Sequence, residues 1–302
     1  MSKFCALKAA GMGNRFKIYV SYLARYDEVL VEKNEDRFIF TNFKPCNKDE
    51  DIKIYPWTGS GWRLLVNENE EQYIKKYKTI DQLYNDTPQY FIDKYLPIWN
   101  SLNINPEIKK YIDDFTREWD KDNMIGIHIR TNYPPVDDGS RSVWVDFEGF
   151  EKEVQMYSSS QKFFLASDHE PIIDYYKNKY PNQIITYPKR DIVRHDSVDN
   201  IQQSVDSFMD MYLLSQCYKK LILTFGTTFS ECSWWFGGCR AEVVMPTFWD
   251  KVPNDFYNNV YNLKNTMYNL VGEEVAAEGC RTYAPLNVGD NYKIKDWKVI
   301  YG

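Results

Sequence analysis

The sequence has 302 residues, of which 43% are hydrophobic and 17% aromatic, and its formal net charge is −6 at pH 7. This length allows one large domain or two α/β domains, and the acidic balance without a sustained basic run argues against nucleic acid or an anionic membrane as the main partner. The six cysteines contain no C-x-x-C pair that would indicate zinc or redox chemistry, and neither a run of about 18 apolar residues nor an apolar leader occurs, so we expect a soluble cytoplasmic protein without a membrane span.

A predicted strand at residues 4–7 leads into a glycine-rich turn and then a helix. The turn reads GMGNR over residues 11–15, and the helical spacing of apolar residues begins at Asn14. Arg15 lies at the start of this helix, where its guanidinium would stand beside a nest of backbone N–H groups and help to bind an anion. A tight turn that needs its glycines for conformation alone is the alternative interpretation.

The rest of the amino-terminal half mixes short strands with helices. Residues 70–119 are predicted to be mostly helical, and the last of these helices has Asn105 as its cap and Pro106 at its first position. The loop at residues 56–62 carries two tryptophans, which would form either a sugar-stacking platform or an anchor in the core. Further strands are predicted at residues 27–32, 37–40, 52–55 and 64–66.

The strand predicted at residues 124–129 places two basic side chains at its carboxyl end. Isoleucines alternate along it, so His128 and Arg130 lie on the opposite face, at the sheet edge where ligands bind in open α/β folds. A buried histidine beside an arginine is costly unless an anion or a carboxylate lies opposite them. A bound anion and a structural carboxylate pair are the two alternatives. The loop that follows carries two more carboxylates, Asp137 and Asp138.

Residues 124–246 alternate between predicted strands and helices. Such alternation is typical of a parallel sheet covered by helices on both faces, as in a Rossmann-like nucleotide-binding domain. We therefore expect an α/β protein of the GT-B-like class, in which two Rossmann-like domains face a cleft. The expected divisions are an amino-terminal domain (1–121), a nucleotide-binding domain (122–254) and a segment that packs back on them (255–302). Within the second domain, strands are predicted at residues 162–166, 184–187, 221–225 and 242–245, and helices at 147–156, at 171–180 and in a long stretch that ends near 218.

The apolar run at residues 221–225 ends at a glycine that two threonines follow. If the run is a buried strand, then Gly226, Thr227 and Thr228 aim backbone N–H groups and hydroxyls at one point. The N-terminus of a helix attracts anions, and phosphate is the most natural one. Turns of this composition are also common without a ligand, so the interpretation needs support from elsewhere in the chain.

Four elements of the sequence resemble the fucosyltransferase superfamily, which includes α1,2-, core α1,6- and protein O-fucosyltransferases. Residues 11–15 (GMGNR) are similar to its G-x-G-N-R/Q element, and residues 127–130 (IHIR) are similar to its H-x-R motif. Residues 164–168 (FLASD) resemble its ATD strand end. Residues 210–217 (DMYLLSQC) and 227–230 (TTFS) resemble its D-x-x-L-L-S-x-C and S-T-F-S element. The likeness covers the nucleotide-binding half well and the acceptor half only through its first residues.

The resemblance implies a metal-independent, inverting fucosyltransferase that moves fucose from GDP-fucose to a hydroxyl group of a glycan acceptor. Arg130 would contact the β-phosphate of the donor, and Asp210 would read guanine or support its pocket. No metal ion and no cofactor is expected, because an arginine can replace the metal and the D-x-D pair at 120–122 is typical of a solvated turn. The residues implied to bind the donor are Gly13, Asn14, Arg15, His128, Arg130, Asp168, Asp210, Thr227, Thr228 and Phe229.

The resemblance implies no particular catalytic base. Family members often follow H-x-R with another arginine and then an aspartate, where this sequence has Thr131 and Asn132. A base must come within hydrogen-bond reach of the acceptor hydroxyl. We expect it in the loop that leaves the H-x-R strand, with Asp138 as the first choice and Asp137 as the second. Arg130 completes the predicted catalytic set.

Three other functions stay open. The chain is alternatively a GT-B transferase that uses another nucleotide sugar, or a carbohydrate-binding relative without catalysis. A dinucleotide-dependent reductase ranks below both, because residues 11–13 lack the third glycine of G-x-G-x-x-G and position 16 is Phe. A composition rich in Lys, Asn and Tyr, without the membrane anchor of the Golgi members, is compatible with a bacterial or viral glycosylation system.

Overall fold

The structure is a computed structural model, and it describes residues 3–6, 11–24, 28–31, 34–45, 53–55, 84–131, 144–189 and 201–251. The chain divides into two compact units, and within the described residues the first ends at Asn103 and the second begins at Ile104. Some of the predictions fall elsewhere. The tryptophan loop at 56–62, the strand at 64–66, Asp137, Asp138 and the segment at 255–302 lie outside the described residues.

The first unit is built on a parallel sheet of four short strands, which pair in the order β3 (Lys44–Pro45), β2 (Glu28–Val31), β1 (Lys3–Ala6) and β4 (Lys53–Tyr55). The strand and the helix predicted at the start of the chain are confirmed, but the helix begins at Met12, so most of the predicted glycine-rich turn at residues 11–15 is its first turn. Along the chain the unit consists of β1 (Lys3–Ala6), α1 (Met12–Leu23), β2 (Glu28–Val31), α2 (Asn34–Ile39), β3 (Lys44–Pro45), β4 (Lys53–Tyr55) and α3 (Gln89–Asn100).

One predicted strand of this unit is wrong, because most of residues 37–40 belongs to the helix α2. Asp36 and Ile39 are both fully buried whereas Phe38 is exposed, which fits the three-residue spacing of a helix and not the alternation of a strand. Glu35 and Asp36 in the first turn also favour a helix, since carboxylates complement its positive end. A run of four residues is too short for periodicity to distinguish the two structures.

The second unit is built on a sheet of five parallel strands, which pair in the order β7 (Ile184–Ile185), β6 (Phe163–Ser167), β5 (Ile125–Ile129), β8 (Lys220–Leu223) and β9 (Glu242–Val244). The alternation of strands and helices confirms the α/β class that the sequence predicts. None of the described helices is both long enough and apolar enough to cross a membrane. Along the chain the unit consists of α4 (Pro106–Phe115), β5 (Ile125–Ile129), α5 (Phe147–Gln155), β6 (Phe163–Ser167), α6 (Glu170–Lys179), β7 (Ile184–Ile185), α7 (Ile201–Leu214), β8 (Lys220–Leu223), α8 (Thr228–Phe236) and β9 (Glu242–Val244).

The helix α4 belongs to the second unit, although the predicted division at residue 121 assigns it to the first. Its amino-terminal end is the one that the sequence indicates. The Asn105 side chain accepts a hydrogen bond from the backbone N–H of Glu107 at 3.0 Å, and Pro106 occupies the first helical position.

Helices cover both faces of the second sheet. On one face the alternating isoleucines of β5 pack against Phe150 of α5. On the other face α7 lies against β5 at Gly126, where a Cβ atom would come within 2.6 Å of methyl carbons of both Leu214 and Leu221. A side chain at this position would have to displace both leucines, so glycine allows the helix that carries Asp210 to lie close to β5.

Candidate active site

The carboxyl ends of three adjacent strands of the second unit bring the predicted site residues to one edge of the sheet. The central strand β5 ends at Ile129 and leads to Arg130, with β6 on one side and β8 on the other. Asp168 directly follows β6, and Gly226 comes soon after β8. Parallel strands end at the same edge, so these three residues follow three neighbouring strand ends.

His128 is buried inside this edge and held by two contacts. Its Nδ1 lies 2.6 Å from the Ser230 hydroxyl, and its ring stacks on Phe229 with the ring centroids 4.7 Å apart. The Ser230 hydroxyl in turn lies 2.6 Å from the hydroxyl of Thr227. A chain of hydroxyl groups therefore compensates for the burial of the imidazole. The sequence motif includes Ser230, yet nothing in its local pattern indicates the contact with a histidine 102 residues away.

The turn between β8 and α8 consists of a left-handed glycine followed by a helix cap. Gly226 has a φ of +81°, a left-handed conformation that favours glycine, and Thr227 caps the helix. The Thr227 hydroxyl accepts a hydrogen bond from the backbone N–H of Ser230 at 3.0 Å, and the residue is 3% exposed. Its hydroxyl thus serves the cap, and the attraction for an anion comes mainly from the positive end of the helix at Thr228 and Phe229.

Arg130 pairs with a carboxylate on the opposite side of β5 from this turn. Its Nη1 lies 3.1 Å from Oδ2 of Asp168, with both side chains about one-fifth exposed. The second oxygen of Asp168 accepts a hydrogen bond from the backbone N–H of Thr131 at 3.0 Å. The backbone N–H of Arg130 donates to the Thr224 hydroxyl at 3.0 Å, which ties the residue to the end of β8. The carboxylate that the sequence requires opposite the arginine is therefore Asp168, and Thr224 is a support that the sequence did not predict.

Asp210 lies on α7 in a buried ion pair with Lys189. The Lys189 ammonium also donates to the carbonyl oxygen of Ser167 at 2.9 Å, which links the pair to the end of β6. Burial raises the pKa of Asp210 from 3.8 to about 6, although the neighbouring Lys189 acts in the opposite direction. Lys189 was not predicted as a site residue. In the sequence, only its position shortly after the strand β7 indicates that Lys189 lies near the site.

The remaining predicted donor residues, Gly13, Asn14 and Arg15, belong to the first unit. The Arg15 guanidinium is buried and donates two hydrogen bonds to the Asp36 carboxylate, from Nε at 2.6 Å and from Nη2 at 2.7 Å. The Tyr19 hydroxyl donates to the same carboxylate at 2.5 Å. This fork-to-fork pair orders the start of α1, and the role of Arg15 toward a phosphate stays a prediction.

Among the described residues, no group of three or more His, Cys, Asp or Glu side chains is arranged to hold a metal ion. The metal independence of the reaction stays a prediction, to which an assay in the presence of a chelator applies directly.

No protein-family model and no curated protein matches the sequence. Similar solved structures include NodZ α-1,6-fucosyltransferase soaked with GDP-fucose, which is 14% identical, with a TM-score of 0.45 over 78% of this chain and 93% of that chain. Another is fucosyltransferase NodZ from Bradyrhizobium, at 14% identity and a TM-score of 0.46 over 77% of this chain and 92% of that chain. A mutant of Arabidopsis thaliana FUT1 in complex with GDP is 11% identical, with a TM-score of 0.47 over 84% of this chain and 72% of that chain.

Proposed function

We propose that this protein is a glycosyltransferase that transfers fucose from GDP-fucose to a hydroxyl group of a glycan acceptor, by an inverting displacement without a metal ion. The observation that carries this proposal is that a guanidinium and a helix N-terminus follow two neighbouring strands at the same edge of the sheet. Arg130 follows β5, and the positive end of α8 follows the adjacent strand β8. Such a pair of fixed positive groups suits a diphosphate.

The leaving group of the reaction is the nucleoside diphosphate, and negative charge grows on it as the sugar departs. Arg130 and the backbone N–H groups at Thr228 would stabilise this charge, and one such donor is typically worth about 3–4 kcal/mol. In the structure Asp168 holds the Arg130 guanidinium. A phosphate that arrives would share or replace this carboxylate, so Asp168 positions the guanidinium before the donor binds.

Guanine recognition is assigned to Asp210. Its carboxylate could accept hydrogen bonds from the N1–H and N2–H groups of guanine, which neither uracil nor cytosine offers in this arrangement. Lys189 favours the ionised form of that carboxylate. For the acceptor hydroxyl, Asp138 and in second place Asp137 remain the proposed bases.

Nucleotide preference tests the donor assignment. We expect GDP to raise the melting temperature of the protein more than UDP, ADP or CMP does, because only GDP offers both the diphosphate and the guanine donors. A stronger shift with UDP would favour a transferase for another nucleotide sugar. The reaction itself is then tested by incubation with GDP-fucose and a glycan panel, with released GDP as the readout. Binding of GDP without any transfer would favour the non-catalytic alternative.

The affinity for GDP should fall as the pH is lowered through about 6. The pKa of Asp210 lies near that value, and its protonated form loses an acceptor for guanine. Isothermal titration between about pH 5 and about pH 8 measures this effect. The Asp210→Asn variant should bind GDP more weakly and show a flatter profile, whereas an equal pH dependence in that variant would contradict the assignment.

Protonation of Asp210 is expected to weaken GDP binding but to stabilise the folded protein. Its pKa in the folded protein exceeds the ordinary value of 3.8, so protonation favours the folded state. This contribution is fully present below pH 3.8 and is lost as the pH rises through about 6. Loss of GDP binding at low pH therefore cannot be explained by destabilisation through Asp210.

A further inference from the structure

An aromatic pair of one partly buried and one exposed side chain lies beside the turn that precedes α8. The rings of Phe225 and Trp249 have their centroids 4.9 Å apart at an angle of 58°. Phe225 directly precedes Gly226. Trp249 is 51% exposed. A large apolar ring face is thus presented to solvent next to the proposed phosphate site, where its exposure has no structural benefit.

The three residues before Trp249 are held by the backbone of the same unit. The N–H of Phe248 donates to the carbonyl of Trp144 at 2.8 Å, and the N–H of Asp146 donates to the carbonyl of Pro246 at 3.2 Å. Val145 and Thr247 form an antiparallel bridge between these two bonds. The segment that carries the indole is therefore ordered before a ligand arrives, which lowers the entropic cost of binding on it.

The order of the strands indicates which part of a bound substrate would reach this pair. Asp210 is linked through Lys189 to the end of β6, Arg130 follows β5, and Phe225 follows β8, so the three lie in sequence across the sheet. Trp249 follows β9, which is the next strand in the same direction. If guanine lies near Asp210 and the diphosphate near Arg130, the aromatic pair lies beyond the phosphate, on the side of the sugar.

We propose that Phe225 and Trp249 form a stacking platform for a pyranose ring of the glycan acceptor. This inference rests on the proposed function for the direction in which the substrates lie. The C–H groups on one face of a pyranose pack against the electron-rich face of an indole, and the hydroxyls at the ring edge stay in water. The ligand class is therefore an oligosaccharide that binds through the apolar face of one of its rings.

Replacement of Trp249 by alanine tests the platform. We expect the KM for the acceptor found in the glycan panel to rise at least about tenfold, while the affinity for GDP changes by less than about twofold. Trp249→Phe keeps a ring and should recover part of the loss. Tyr175→Ala is the matched control, because Tyr175 is 48% exposed and also packs against a second ring, that of Tyr176. It should leave both constants unchanged.

A direct binding measurement separates this inference from the proposed function. Lactose, cellobiose and N,N′-diacetylchitobiose are titrated against the protein, with tryptophan fluorescence as the readout. The platform predicts a change with at least one of these sugars that is absent in Trp249→Ala. Sugar binding without GDP binding would overturn the donor assignment and leave the platform intact. An unchanged acceptor KM in Trp249→Ala, a loss of GDP affinity instead, or no fluorescence change with any sugar would overturn the platform.

Discussion

Arg130→Ala is expected to reduce transfer from GDP-fucose by at least about a hundredfold, because a fixed guanidinium on a leaving diphosphate contributes several kcal/mol to the transition state. The backbone donors at α8 would remain, so some turnover should persist. The measurement is the initial rate of GDP release in the presence of acceptor, at saturating donor. The fold should survive the change, since the side chain lost is 21% exposed and its partner Asp168 is 18% exposed.

Two variants control this experiment. Arg117→Ala removes an arginine that is 73% exposed and pairs with Asp114, three residues earlier, so the rate should not change. Arg130→Lys keeps the charge without the planar fork and should fall between alanine and wild type. If Arg130→Ala turns over at a nearly normal rate, the guanidinium has no role at the phosphate.

Lys189→Met is expected to destabilise the protein by about 3 kcal/mol at neutral pH. The change leaves the buried Asp210 carboxylate without its ion-pair partner and removes the donor to the Ser167 carbonyl. The free energy of unfolding from urea titrations at pH 7 measures the effect. It should be smaller at pH 5, because Asp210 is then largely protonated.

The origin of this loss is checked by a second substitution. Lys189→Met combined with Asp210→Asn removes the unpaired charge, and most of the lost stability should return. Lys179→Met is the control, since its Glu151 partner lies on the protein surface and the lysine is 37% exposed. If Lys189→Met and Lys179→Met lowered the free energy of unfolding equally, the buried pair would contribute no more to stability than the exposed pair.

The second unit could be predicted largely from periodicity. Isoleucines at every second position of residues 125–129 identify a buried strand with one polar face, and the structure has that strand in the same place. The cap at Asn105 and the helix that begins at Thr228 after a glycine are equally local signals. The strand predicted at 37–40 was wrong because four residues are too few to distinguish the period of a strand from that of a helix. In the structure these residues belong mostly to a helix, which buries Asp36 and Ile39.

The carboxyl ends of the strands were also predictable as the place of the candidate site, because every strand of a parallel sheet ends at the same edge. The contacts that the side chains at that edge make could not be predicted from the sequence. His128 meets Ser230 across 102 residues, and the Arg130 backbone meets Thr224 across 94. Arg130 turns toward Asp168 because β6 borders β5, and Lys189 reaches Asp210 because α7 packs closely on Gly126.

The amino-acid order therefore determined the strands, the helices and the edge at which the functional groups collect, since hydrogen bonding and burial repeat along the backbone with fixed periods. Only the tertiary structure decided which cation faces which carboxylate and which aromatic face stays in water. Those contacts depend on the order of the strands within the sheet, and a strand can take several neighbours with the same local pattern.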